Sequence, residues 1–91
     1  MDLSALPGGE TIAEGLADLR AGRESAAGLL VLIGAPRLRG LGFEIPSLGV
    51  DHPEHRLYET LAASDSDSAH SRYNALIRLL VSFERAAECA R

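Results

Sequence analysis

The sequence predicts an all-α protein, a compact bundle of four main helices plus a short helical turn, with a long C-terminal helix. The strongest observation lies in residues 67–91, where apolar residues alternate at steps of four and three for about three heptads, as on one face of a helix. With only two Phe, two Tyr and no Trp, the core must rest on Leu, Val, Ile and Ala, as the cores of helical bundles often do. The apolar residues of this last face are Ala69, Tyr73, Leu76, Leu80, Phe83, Ala87 and Ala90.

Start and stop signals divide the 91 residues, which we assign to a single domain, into helices. After a lead-in over residues 1–9, we predict helices at 10–21, 25–33, 36–40, 53–63 and 67–90. Thr11 and Glu14 match a capping box, in which each side chain accepts a hydrogen bond from a free backbone N–H group. Gly22 is suited to end the first helix and Pro53 to begin the fourth.

The run of apolar residues at 29–33 is ambiguous, because a short apolar run is also typical of a buried strand. A strand here would pair with residues 43–45, where Phe43 and Ile45 alternate with a glutamate. We prefer a central helix, since two alanines lead into the run and Gly34 follows it. We also expect the side chains of Leu30, Leu76 and Leu80 to be buried.

Charge and residue usage narrow the function classes. The net charge is −4, which disfavours non-specific attraction to nucleic acid or anionic lipid. All nine basic residues are Arg, which excludes Schiff-base chemistry and a P-loop lysine and is typical of a GC-rich bacterial genome. Cys89 is the only cysteine, so a reducing compartment is the simplest setting. No apolar run approaches a membrane span and no signal peptide is recognisable, so we expect a cytoplasmic protein.

No catalytic signature is present, and we predict neither an enzyme nor a bound cofactor. Gly-x-Ser-x-Gly, a Gly-rich nucleotide loop and His-Glu-x-x-His are all missing. Cys89 would need a neighbouring base to act as a nucleophile. Asp51, His52 and His55 are candidate metal ligands, but their spacing matches no standard zinc pattern. We therefore interpret them as the solvated start of a helix and predict no metal site, and a metal-binding protein is the last of the alternative functions.

Two arginines suggest an alternative function as a DNA-binding regulator. Arg37 and Arg39 lie in a short basic helix after an apolar one, as in a helix-turn-helix. Pro36 and Gly40 leave that helix about one turn long, and the acidic net charge also argues against DNA binding.

The leading hypothesis is a small protein-interaction module that works through helical surfaces as a homodimer. At about 1.5 Å per residue, the last helix is longer than its neighbours can cover. Exposed apolar surface of this kind marks an interface, and two-fold pairing is the commonest way to cover it. We assign the interface to Tyr73, Leu76, Leu80, Phe83, Ala87 and Ala90. The competing interpretation is that Leu3 and Leu6 fold back over this face within one chain.

Overall fold

The computed structural model describes residues 3–90 of the chain and contains no strand in that range. A 3₁₀ turn at Leu3–Ala5 precedes α1 (Gly9–Arg20), α2 (Ala26–Ile33), α3 (Ala35–Gly40), α4 (Pro53–Ser64) and α5 (Ala69–Cys89). The structure is 70% helical, which confirms the all-α prediction. Each helix begins and ends within two residues of its predicted limits. Over residues 3–90, no helix has both the length and the apolar character that crossing a membrane requires.

The centre of the fold is α2, which packs against α1, α3, α4 and α5. Leu29, Leu30 and Val31 are each at most 1% exposed, as expected of a helix that is apolar on every side. Ser25 caps α2, because its Oγ accepts a hydrogen bond of 3.0 Å from the backbone N–H of Gly28. The run at 29–33 is therefore helical, and the strand alternative is wrong.

Gly22, the residue predicted to stop α1, lies two positions after the last helical residue, Arg20, and has a φ of 74°. The Gly22 N–H donates to the carbonyl of Leu19 and the Arg23 N–H to that of Asp18, the paired bonds of a Schellman motif. Arg23 also forms an ion pair of 2.8 Å with Asp18, whose other oxygen accepts a bond from Ser25. One aspartate thus joins the end of α1 to the start of α2.

The predicted capping box at the start of α1 is wrong. The helix already begins at Gly9, so Thr11 lies inside its first turn, and no side chain caps it. The backbone takes over the role of the cap, since the Gly9 N–H donates to the carbonyl of Leu6 at 2.9 Å. The 3₁₀ turn thus satisfies a backbone group that a capping side chain would otherwise serve.

Helix α5 begins at Ala69 rather than at residue 67. Before it, the Asp65 carboxylate accepts a hydrogen bond of 3.1 Å from the Asp67 N–H, which closes a turn instead of extending the helix. Leu80 is buried as predicted, as is Leu30, whereas Leu76 is half-buried.

Two glycines allow helices to approach closely. A Cβ atom on Gly15 of α1 would overlap the carbonyl oxygen of Ala27 and lie 2.6 Å from a methyl group of Val31. A Cβ atom on Gly34 would lie 2.8 Å from a methyl group of Leu80. The first glycine therefore sets the contact between α1 and α2, and the second brings the junction of α2 and α3 against α5.

Candidate functional site

The candidate functional site is a row of half-exposed apolar side chains that we call the α5 strip: Tyr73, Ile77 and Val81, with Tyr58 of α4 at one end. The three α5 residues are four positions apart and therefore form one ridge along the helix. Each of the three is partly exposed. At 39% exposure, Tyr58 is the most exposed large hydrophobic side chain between residues 3 and 90. Such a ridge is the unit by which one helix packs against another.

Two tyrosines join α4 and α5 at the start of the α5 strip. The ring centroids of Tyr58 and Tyr73 lie 5.8 Å apart, with the ring planes at 59°. This tilted arrangement is favourable for aromatic pairs. The pair orders two large side chains at the surface, so less conformational entropy is lost when a partner binds there.

The interface assigned from the sequence requires a correction. Leu80, Phe83 and Ala87 are buried within the chain itself, at 4%, 0% and 2% exposure. The Phe83 ring packs against Phe43, with the centroids 5.8 Å apart. Since the chain already covers these three side chains, they belong to the core. Tyr73 and Leu76 are half-buried and Ala90 is exposed, so these three keep surface that a partner can contact.

The N-terminal segment accounts for further cover over α5. Leu3 and Leu6 are half-buried against the core, and a Cβ atom on Gly8 would lie 2.8 Å from Cγ of Leu79. Gly8 therefore lies against Leu79 of α5, whereas the packing of Leu3 and Leu6 over the face that ends at Ala90 stays a prediction. The α5 strip lies on the opposite flank of the helix, because Ile77 is two positions, about 200°, from Leu79.

Two members of the α5 strip, Ile77 and Val81, were missed by the sequence analysis. They lie beside the alternating four-and-three pattern, which drew attention to the residues facing the core. Their spacing of four from Tyr73 was the signal that could have found them.

Three charged side chains on the rim of the α5 strip have no ion-pair partner within residues 3–90. Arg78 and Arg85 are exposed and form no ion pair within residues 3–90. The side chain of Asp67, just before α5, is likewise exposed and unpaired within that range. Acidic charge thus lies at one end of the strip and basic charge toward the other.

The two arginines of the DNA-binding hypothesis are held by contacts within the chain. Arg37 forms an ion pair of 2.7 Å with Glu88, and Arg39 donates a hydrogen bond of 2.9 Å to the carbonyl of Ile45. Helix α3 has six residues, about one and a half turns. These contacts and this length count against α3 as a recognition helix.

The candidate metal ligands lie together on one open cleft of about 480 Å³ beside the start of α4. Asp51, His52 and His55 all line it, but His55 pairs with Glu59, one turn further along α4, at 3.0 Å. Arg56 pairs with Glu24 at 3.0 Å across the same cleft. Throughout residues 3–90, no three His, Cys, Asp or Glu side chains are grouped so that they could hold a metal ion. Cys89 is exposed near the end of α5.

Glu84 is the one charged residue that is buried in the described structure, at 7% exposure. It lies on α5 beside Gly34, and it forms no hydrogen bond or ion pair with another residue of 3–90. Burial raises the pKa of its carboxyl, and the nearby Arg37 guanidinium opposes that rise. Asp18 is the opposite case, because hydrogen bonds from Ser25 and Arg23 lower the pKa of its carboxyl.

Glu84→Gln should raise the free energy of unfolding at pH 7. A carboxyl whose pKa is higher in the folded state binds more protons there, so stability falls as the pH rises above the ordinary glutamate pKa of about 4.3. The gain from the amide should therefore vanish as the pH drops below that value. Urea denaturation followed by circular dichroism at several pH values measures both effects.

Asp18→Asn is the companion variant with the opposite sign. Its lowered pKa stabilises the folded state above the ordinary aspartate pKa, and this stabilisation is lost as the pH falls through the folded-state value. The Asp18→Asn variant should lose stability at pH 7, and the loss should be smaller in acid.

A different result for Glu84→Gln would contradict the first of these two predictions. If that variant were less stable than the unmodified protein at pH 7, the Glu84 carboxylate would have a favourable partner, most directly Arg37.

Comparison with protein-family models, with curated proteins and with solved structures finds no match to this chain.

Proposed function

We propose that this protein is a small cytoplasmic interaction module that binds protein through the α5 strip. Its partner at the strip is a second copy of the same chain, so that the protein is a homodimer. The observation that supports the proposal is the strip itself, a ridge of partly exposed apolar side chains on a helix whose other flank is covered. Apolar side chains grouped on one surface, rimmed by charged residues, are typical of protein interfaces. A single exposed cysteine fits a reducing compartment.

The aromatic side chains favour a protein partner. Tyrosine is enriched among the interface residues that contribute most of the binding energy, because its large rigid ring buries much surface at a small cost in conformational entropy. Tyr58 and Tyr73 present two such rings side by side. A homodimer needs no second component, and the two-fold pair is the commonest assembly of soluble proteins.

Static light scattering at micromolar concentration tests the proposal. The expected mass is twice the 9.7 kDa of one chain. Val81→Glu should reduce it to the mass of one chain, because the dimer would bury an unpaired carboxylate. Helicity by circular dichroism should stay unchanged, since Val81 is partly exposed in the single chain. Phe83→Glu would be unsuitable, since Phe83 is fully buried and the variant would unfold.

Ser82→Glu is the matched control. Ser82 is exposed and adjacent in sequence, but it lies about 100° further round the helix, away from the α5 strip. This variant adds the same charge and should remain a dimer. A single-chain mass for the unmodified protein across the micromolar range would contradict the homodimer.

A further inference from the structure

The charges on the rim of the α5 strip define how two copies would pair. Resting on the proposed function, we propose that the α5 helices of two copies pack antiparallel about a two-fold axis near Ile77, and that Arg85 of each copy forms an ion pair with Asp67 of the other.

The apolar centre of the strip is compatible with this arrangement. Tyr73 and Val81 lie four residues before and after Ile77. In an antiparallel pair centred on Ile77, Tyr73 of one copy therefore lies at the level of Val81 of the other. The Ile77 side chains of the two copies lie near each other. A two-fold interface must be self-complementary in this way, since the same surface is used twice.

The ends of the strip provide the charge complementarity. Asp67 lies in the turn just before α5, and Arg85 lies eight residues after Ile77, near the C-terminal end of the helix. Antiparallel pairing therefore brings the acidic end of one copy to the basic end of the other.

Parallel pairing would bring like charges together. Both Arg85 residues would then lie at one end of the pair and both Asp67 residues at the other, so no opposite charges would meet across the interface, and like charges at the same level disfavour a complex. Neither residue has an ion-pair partner within residues 3–90, so both are available to a second copy.

Charge reversal tests the pairing. Arg85→Glu alone and Asp67→Arg alone should each raise the dimer Kd about tenfold, because exposed ion pairs contribute modestly and the two-fold axis doubles the effect. Combining the two substitutions in one chain should restore the original Kd. An equimolar mixture of the two single variants should also restore it, since both contacts then join opposite charges. Both positions are exposed, and circular dichroism confirms that each variant keeps its helicity.

Arg78→Glu is the matched control. It makes the same change in charge on the same helix. Arg78, however, is one position from Ile77, so in the antiparallel pair Arg78 of one copy lies beside Arg78 of the other. The contact joins like charges before and after the change, so the Kd should change less than about threefold. If the Kd rose equally for Arg78→Glu and Arg85→Glu, net charge alone would explain the effect, and the proposed ion pair would be overturned.

The native Cys89 gives an independent measurement of orientation. It is the only cysteine and is exposed, so a nitroxide label attaches there without any substitution. Cys89 is twelve residues from Ile77, which places the two labels about 36 Å apart along the helices in an antiparallel pair. Parallel helices would bring them to roughly the interhelical distance of 8–10 Å plus the length of the labels. Pulsed electron paramagnetic resonance separates these two values.

The outcomes distinguish this inference from the proposed function. A dimer that Val81→Glu dissociates, but with a short Cys89 distance or with no response to charge reversal, would overturn the antiparallel pairing and leave the interaction module standing. A single-chain mass for the unmodified protein would contradict both the antiparallel pairing and the proposed homodimer.

Discussion

Phe83→Ala should lower the free energy of unfolding by about 3–5 kcal/mol, the usual loss when a large buried aromatic side chain is truncated. Phe83 is fully buried and its ring packs on Phe43, which comes from the segment between α3 and α4. The variant would therefore leave a cavity and release that segment from α5. Small domains have only about 5–15 kcal/mol of stability, so much of the protein should unfold at moderate urea concentrations. Chemical denaturation followed by circular dichroism measures the loss.

Ser82→Ala, at the neighbouring exposed position, is the control and should change the free energy of unfolding by less than about 0.5 kcal/mol. A similarly small change for Phe83→Ala would show that the Phe43–Phe83 contact contributes little.

Gly15→Ala should destabilise the protein by about 1–3 kcal/mol, the usual range for adding atoms to a packed core. Helix propensity alone predicts the opposite, because Ala is favoured over Gly inside a helix by about 1 kcal/mol. The added methyl group would overlap the backbone of α2 at Ala27, and a carbonyl cannot rotate away as a side chain can. The two helices would have to separate, so the steric effect should prevail.

Gly40→Ala provides the matched control for Gly15→Ala. It is also a helical glycine, but a Cβ atom there would meet no other atom within 4 Å. This variant should be neutral or slightly stabilising. Thermal unfolding of both variants decides the matter, and a Gly15→Ala protein more stable than the unmodified one would contradict the close approach of α1 and α2.

The helices could be predicted because their signals are local. Ser25 at the start of α2 and Gly22 at the end of α1 act on backbone groups within a few residues, so the sequence contains both the signal and its target. The spacing on α5 likewise identified a helix and its buried face. The capping box at Thr11 failed because a backbone carbonyl of the 3₁₀ turn satisfied a free N–H group, and no side-chain pattern reveals that.

What covers a buried face could not be predicted, because that depends on contacts far apart in sequence. The pattern on α5 marked Phe83 as apolar and inward-facing, but Phe43 lies forty positions away in a segment without periodicity. Assigning Phe83 to an interface was therefore the natural error. The close approach of α2 at Gly15 could not be predicted either, because a glycine within a helix does not indicate which other backbone packs against it.

The pair of Tyr58 and Tyr73 also has a spectroscopic consequence. These are the only tyrosines and the chain has no tryptophan, so its fluorescence excited near 280 nm arises mainly from the two tyrosine rings of the α5 strip. Any molecule that covers the strip would change the polarity around the rings and with it the emission intensity. The intrinsic tyrosine fluorescence of the unlabelled protein therefore reports binding at this surface, and it can be measured at concentrations where dimer and single chain coexist.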